Sequence, residues 1–238
     1  MSRSVAAIFG AGGGIGAALA DAIAASGAYD ATIRFARRPL PGAPGADAPP
    51  LVDVTDEASL AQAAAFAQAQ GELRLVICAS GFLHDARFTP EKSLKSLDPA
   101  HMAHAFAVNA MGPALVMKHF LPLCPREGRF VFAAVSARVG SIGDNHLGGW
   151  HSYRASKAAL NQFVRTAAVE TARTRKEAVL VALHPGTAAT ALSAPFSKSG
   201  LDVRAPHVAA EDLLRVIDAL TPADTGGFFD HKGATVPW

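Results

Sequence analysis

Cysteine is scarce in this chain: only Cys78 and Cys124 occur in 238 residues, far apart and in no CxxC spacing. That excludes a disulfide framework and a thiolate zinc site, and it fits a reducing compartment. Charge of one sign is also missing, since 22 basic side chains face 20 acidic ones for a formal charge of +2. No field of that size argues for nucleic acid or an anionic membrane. Nor does any apolar run approach the roughly 18 residues that a membrane span needs. The apolar start is not a signal peptide on this reading, because five glycines between Gly10 and Gly16 break an h-region helix and Asp21 follows. The expectation is a cytoplasmic protein whose partner is a small molecule, with neither nucleic acid nor membrane.

What the chain has is apolar content, with half its residues hydrophobic and only 18% charged. This composition and length predict one globular domain over residues 1–238. Short aliphatic runs alternate with alanine-rich segments of helical period, the pattern of strands feeding crossover helices onto a parallel sheet. Strands are predicted at Val5 to Phe9, Ala31 to Ala36, Pro50 to Val52, Leu73 to Ala79, Arg129 to Val135, Ala178 to His184 and Gly227 to Asp230. Helices are predicted at about Gly14 to Ser26, Asp56 to Gln70, Pro99 to Phe120, Ser152 to Arg175 and His207 to Leu220. Asp56 reads as an N-cap and Pro99 as a first-turn residue. Five prolines between Pro39 and Pro50 leave no room for a crossover helix after the second strand. The fold class is therefore α/β, a doubly wound Rossmann-type domain with a seven-stranded parallel sheet flanked by helices.

The first strand runs straight into Gly10-Ala11-Gly12-Gly13-Gly14-Ile15-Gly16 and then a helix. Strand, bare backbone and helix N-terminus in that order suit a dinucleotide pyrophosphate. Ala17 stands where a Walker loop would need lysine.

The glycines fit Gly10-x-x-x-Gly14-x-Gly16, and that spacing resembles the short-chain dehydrogenase/reductase family. Asp53-Val54 resembles the family's adenine-contacting pair, Asn109 in FAVNAMG its fourth-helix asparagine, Tyr153-x-x-x-Lys157 its catalytic pair, and Pro185-Gly186 with Thr190 its PGxxxT segment. The resemblance spans essentially the whole chain. It implies a strand order of 3-2-1-4-5-6-7 and a homodimer or homotetramer paired through Pro99 to Phe120 and Ser152 to Arg175. It further implies that Gly10, Gly14, Ile15, Gly16, Asp53, Val54, Gly81, Lys157, Pro185, Gly186 and Thr190 hold a cofactor, and Arg37 joins them on its own chemistry. The stretch SARVGSIGDNHLGGWHSYRASKAALN looks closest to the branch of sniffer-type carbonyl reductases and C-factor-like proteins.

The residue types suit hydride transfer between a nicotinamide and a carbonyl or alcohol. Tyr153 and Lys157, four apart on a helix, share one face, so the ammonium is expected to lower the phenol's pKa and make Tyr153 a general acid. By resemblance Lys157 also holds the nicotinamide ribose, and Asn109 positions a water beside Lys157. The serine is displaced: the family's S-S-x-x-G reads Ser136-Ala137-Arg138-Val139-Gly140 here, with alanine at the donor position. Ser136 is the favoured substitute, with Ser141 or a water as alternatives. The family's NNAG reads Cys78-Ala79-Ser80-Gly81, keeping the close-approach glycine and losing both asparagines.

At the end of the second strand Ala36 is followed by Arg37-Arg38, where an acidic residue would bind a ribose 2′-OH. Arginine suits a 2′-phosphate, so NADP is expected over NAD. His101 and His104, three apart without a third ligand, imply no metal. The substrate pocket is expected to be lined by Phe82, Leu147, Trp150, His151, Leu192 and Phe196, and the segment Thr187 to Pro206 to act as a lid. A bulky apolar or aromatic ketone follows as the expected substrate. The competing reading is a dinucleotide-binding signalling or regulatory protein with vestigial catalysis, motivated by Ala137 and the lost asparagines.

Overall fold

Val5, Ala7 and Phe9 face one apolar cluster while Ala6 and Ile8 face another, so the first strand is buried on both sides. Only a strand between two helix layers needs that. In the computed structural model, which describes residues 3–41, 48–196 and 203–238, β1 (Ser4–Phe9) leads through α1 (Gly14–Ser26) to β2 (Ala31–Phe35). Next come α2 (Glu57–Gln70), β3 (Glu72–Cys78), α3 (Pro99–Phe106) and α4 (Gly112–Phe120). The second half runs β4 (Phe130–Val135), α5 (His151–Thr171), β5 (Ala178–His184), β6 (Thr187–Ala188), β7 (Val203–Arg204), α6 (Pro206–Ala219) and β8 (Phe228–Asp230).

The main sheet is parallel throughout, with six described strands in the order β2-β1-β3-β4-β5-β8. The expected strand at Pro50 to Val52 is not formed. Pro49 and Pro50 have no N–H to give a ladder, and Val52 makes a single bond, to the Ala36 carbonyl at 2.9 Å. With it removed, the remaining strands take the order that the resemblance implied. Residues 42–47 of the proline-rich segment lie outside the described residues, as do 197–202 of the expected lid. The described flanks of that lid are not irregular throughout, since β6 and β7 pair in parallel there.

One face of the sheet carries α1 and α6 through Leu19, Ile23, Leu213 and Ile217, and the other carries α2, α4 and α5 through Leu60, Phe120, Leu160 and Val164. A bulge in β3 shifts register between Val5 and Ala6, so Leu73 and Leu75 serve opposite layers despite lying two apart. Phe9 stacks on Phe35 at 4.9 Å and meets Phe120 edge-on at 4.8 Å, tying β1, β2 and α4 into one aromatic block.

Asp56 caps α2 by accepting from the Ala58 N–H, and Asp98 does the same for α3 ahead of Pro99. The helix expected over Pro99 to Phe120 is interrupted by a π-helical turn at Ala107–Met111. Pro113 has no N–H to offer the carbonyl of Asn109, four residues earlier, and the winding widens so that the Gly112 N–H reaches Ala107. The loops that leave the carboxyl ends of the main strands gather along one edge, where ligands of open parallel sheets bind. No helix among the described residues is long and apolar enough to cross a membrane.

Candidate active site

Gly10, at φ 78°, turns the chain out of β1 so closely against β3 that a Cβ there would lie 2.8 Å from the Ser80 nitrogen. A Cβ on Gly16 would stand 2.2 Å from the Gly10 carbonyl oxygen. These two glycines let the loop fold on the protein's own backbone, and Gly14 makes room for Thr190, whose side chain a Cβ there would meet at 2.7 Å; Gly12 and Gly13 have no such close neighbour. No side chain caps α1 and no acidic residue sits in its first turn. Its leading N–H groups therefore suit an anion.

Two cavities meet at this loop and share Gly13, Ala79, Ser80 and Gly81, forming one groove along the strand ends. The outer cavity, about 510 Å³, is lined by Gly10, Ala36, Arg37, Arg38, Asp53 and Val54. The inner one, about 430 Å³, is lined by Gly14, Ile15, Gly16, Pro185, Gly186 and Thr190, and by Ser136, Tyr153, Lys157 and His184. All the residues expected to hold cofactor thus line the groove. Its shape fits an extended dinucleotide: arginines and a carboxylate at one end, a helix N-terminus in the middle, and a phenol and an ammonium at the other. Asp53 accepts from the Thr55 N–H at 2.9 Å and from its hydroxyl at 2.7 Å. Burial works to raise its carboxyl, but these bonds and the Arg37 charge outweigh it and hold the group below the usual carboxylate value.

A family model described as Enoyl-(Acyl carrier protein) reductase matches residues 10–220. The chain belongs to the short-chain dehydrogenase/reductase family. It is an oxidoreductase of that family. The 1-hydroxy-2-glutathionyl-2-methyl-3-butene dehydrogenase of Rhodococcus sp. (strain AD45) is 33% identical over 196 residues, covering 82% of each chain. The C-signal of Myxococcus xanthus is 40% identical over 147 residues, 61% of this chain and 84% of that one. Among solved structures, an NADPH-bound carbonyl reductase from chicken fatty liver superposes with a TM-score of 0.84 over 99% of both chains at 25% identity. The carbonyl reductase Sniffer of Drosophila melanogaster, at 20% identity, gives a TM-score of 0.81 over 99% of both chains and shares the fold.

In this dehydrogenase/reductase α5 carries Tyr153 and Lys157 one turn apart, 8% and 3% exposed. Lys157 Nζ donates to the Val135 carbonyl at 2.9 Å and lies 5.9 Å from the centre of the Tyr153 ring. The expected tuning is reversed. Burial pushes the Tyr153 phenol above its usual value, and burial pushes Lys157 down to about 8. Burial alone drives the shift at Tyr153.

Ser136 lines the inner cavity, and its hydroxyl donates to Asn161 Oδ1 at 2.7 Å. Asn161 is one helical turn beyond Lys157 on the same face. Ser141 instead accepts from the Asp144 N–H at 3.1 Å and is not among the residues lining either cavity of the groove. Asn109 is buried behind the wall. Its amide clasps Phe82, accepting from that N–H at 2.7 Å and donating to that carbonyl at 2.8 Å, and it donates to Ser156 Oγ at 3.0 Å. The π-helical turn thus fixes both the loop after β3 and the residue beside Lys157.

Of the expected substrate wall, Trp150, Leu192 and Phe196 line the inner cavity. Phe82, Leu147 and His151 do not. Phe82 packs edge-on against His104 at 4.4 Å, in a small cluster with Phe88, because the Asn109 clasp turns its side chain away. Leu83 lines the cavity in its place. Leu147 projects from the loop, 92% exposed.

His101 is no lone surface histidine: it lies buried with Nδ1 3.2 Å from Glu91 Oε1. Glu91 itself, 3% exposed, was not signalled by the sequence. It stands in a loop with no motif, and its partner Ser152 is 61 positions away.

Proposed function

We propose that this chain is a single-domain, NADPH-dependent carbonyl reductase acting on apolar or aromatic ketones. The observation that carries the reading is one groove running from Arg37 and Arg38, past the α1 N-terminus, to Tyr153 and Lys157 beneath a wall of Leu83, Trp150, Leu192 and Phe196. The arginines favour a 2′-phosphate, and the solved relative from chicken fatty liver is described with NADPH bound. The apolar wall favours a substrate with a hydrophobic group next to its carbonyl.

When bound in the groove, NADPH supplies the hydride. Arg37 and the first turn of α1 would hold its phosphates, and Asp53 with Val54 would flank it in the same outer cavity as Arg37. Tyr153 gives a proton to the carbonyl oxygen; the upward push of burial keeps its phenol protonated through neutral pH, which suits the reductive direction. Lys157 remains charged below about pH 8 and offsets the negative charge left on the phenol. Ser136 supplies the second donor to that oxygen by releasing Asn161. Ser136→Ala is expected to lower kcat by about 10²-fold.

The test is turnover of NADPH against NADH over a carbonyl panel. Faster reduction of aromatic ketones than of small polar keto acids, with NADPH preferred, supports the reading; the reverse order overturns it.

A second reading, a dinucleotide-binding signalling protein, is favoured by the engagement of the Ser136 hydroxyl with Asn161 and by the 40% identity to C-signal. NADPH binding without turnover of any carbonyl in the panel would select it. For either reading we infer a homo-oligomer. A groove of about 600 Å³ between α4 and α5 leaves Phe163 43% exposed, an apolar face that a second copy would cover. Light scattering that gives a monomer mass contradicts this.

A further inference from the structure

Gly148, Gly149 and Trp150 have φ of 63°, 64° and 52°, three left-handed residues in succession, and Trp150 is the only non-glycine residue in that region among those described. Strain of this kind persists only where the surroundings over-determine it, and it gathers at functional sites. The surroundings here are two charged residues. On one side the backbone oxygen of Glu91 accepts from the Trp150 N–H. The Glu91 carboxylate accepts from the Ser152 N–H at 3.1 Å and from the Ser152 hydroxyl, and His101 Nδ1 lies 3.2 Å from the same carboxylate. On the other side Arg154 Nε donates to the carbonyls of Gly149 at 3.0 Å and Gly148 at 3.3 Å.

A carboxylate 3% exposed is costly to keep, and packing alone would be met by an apolar side chain. Glu91 meets three partners at once, which an ionised carboxylate can do and an amide cannot without presenting a donor. Burial tends to raise its carboxyl, yet the Ser152 bonds hold it below the usual value. What the clamp fixes is functional. Ser152 immediately precedes Tyr153, and the Trp150 ring stands 6.2 Å from the Tyr153 ring and 5.1 Å from Phe196, edge-on to both.

We propose that Glu91 is a positioning residue: its backbone oxygen holds the left-handed turn at Trp150 while its carboxylate holds the first turn of α5 at Ser152, together setting Trp150 as the wall against which a substrate's apolar group rests beside Tyr153. This specificity role rests on the carbonyl-reductase reading above; the clamp itself does not.

The chain has two tryptophans, so Trp238→Phe leaves Trp150 as the sole indole reporter. In that background Glu91→Ala, Glu91→Gln and Ser152→Ala are compared. Glu91→Ala is expected to red-shift Trp150 emission and expose it to acrylamide. It is also expected to lower kcat about tenfold or more and raise KM for an aromatic ketone, with NADPH affinity unchanged. Glu91→Gln is expected to recover part of both effects, and Ser152→Ala to show both in milder form. Unchanged emission and unchanged kcat across the variants would overturn the proposal. So would an NADPH affinity that falls in step with kcat, since that marks general loss of structure. Should Glu91→Ala fail to fold, the other two variants decide by the same readouts. If the natural protein reduces no carbonyl while the variants still shift Trp150 emission, the reductase reading fails and the clamp stands.

Discussion

Lys157 Nζ spends a hydrogen bond on the Val135 carbonyl at 2.9 Å while lying 5.9 Å from the centre of the Tyr153 ring. The ammonium is therefore anchored to the end of β4, where it can act on the phenol and on whatever occupies the groove. The anchoring is costly, because one backbone oxygen replaces a full hydration shell.

That cost is measurable. Lys157 has its pKa lowered from 10.5 to about 8 by burial, so between those values the unfolded chain binds more protons and stability rises with pH. At pH 7 the full penalty, about 3 kcal/mol, weighs on the fold. Lys157→Met should therefore abolish turnover yet stabilise the protein by about 1–3 kcal/mol at pH 7, raising Tm by about 2–4 °C per kcal/mol. The gain should shrink toward pH 10. Melting curves of both proteins at the two pH values check this.

His184, which lines the inner cavity, should make the protein acid-sensitive. Burial, and then the neighbouring His231, push its imidazole down from 6.5 to about 4. The neutral form is the folded form, so this contribution is complete above about pH 6.5 and is lost as pH falls through about 4. Lowering pH from 7 to 5 should cost about 2 kcal/mol through this group alone. Urea unfolding at the two pH values, repeated with His184→Gln, should show a smaller pH difference in the variant.

Arg37→Ala should raise KM for NADPH by about tenfold and leave KM for NADH within about twofold, as loss of one charge-assisted phosphate contact requires. Steady-state kinetics with each cofactor measure it. Equal effects on both would mean that Arg37 does not meet a 2′-phosphate.

What could be read in advance follows from how local each signal is. The glycine loop and the Tyr153–Lys157 pair are legible because strand, turn and helix each have a short-range pattern, and one helical turn sets the pair's spacing. The strand expected at Pro50 to Val52 is absent because Pro49 and Pro50 have no N–H to give a ladder, a signal the sequence carries in the same prolines that exclude a helix there. Phe82 yields its expected place on the wall to Leu83 because loop phase is set by the Asn109 clasp, 27 positions away. The tuning of Tyr153 was misread for a related reason: charge proximity is visible in the helix, but desolvation comes from strands and loops packed around it. Glu91 left no trace because a single loop carboxylate has no pattern until the fold brings Ser152 and His101 to it.

Tyr153 is the proposed proton donor. The decisive measurement is kcat of Tyr153→Phe for NADPH-dependent reduction of an aromatic ketone, with NADPH affinity determined on the same protein. A fall of about 10²–10⁴-fold with affinity intact is expected, since only a hydroxyl is removed. A variant that turns over within a few-fold of the natural protein would contradict it.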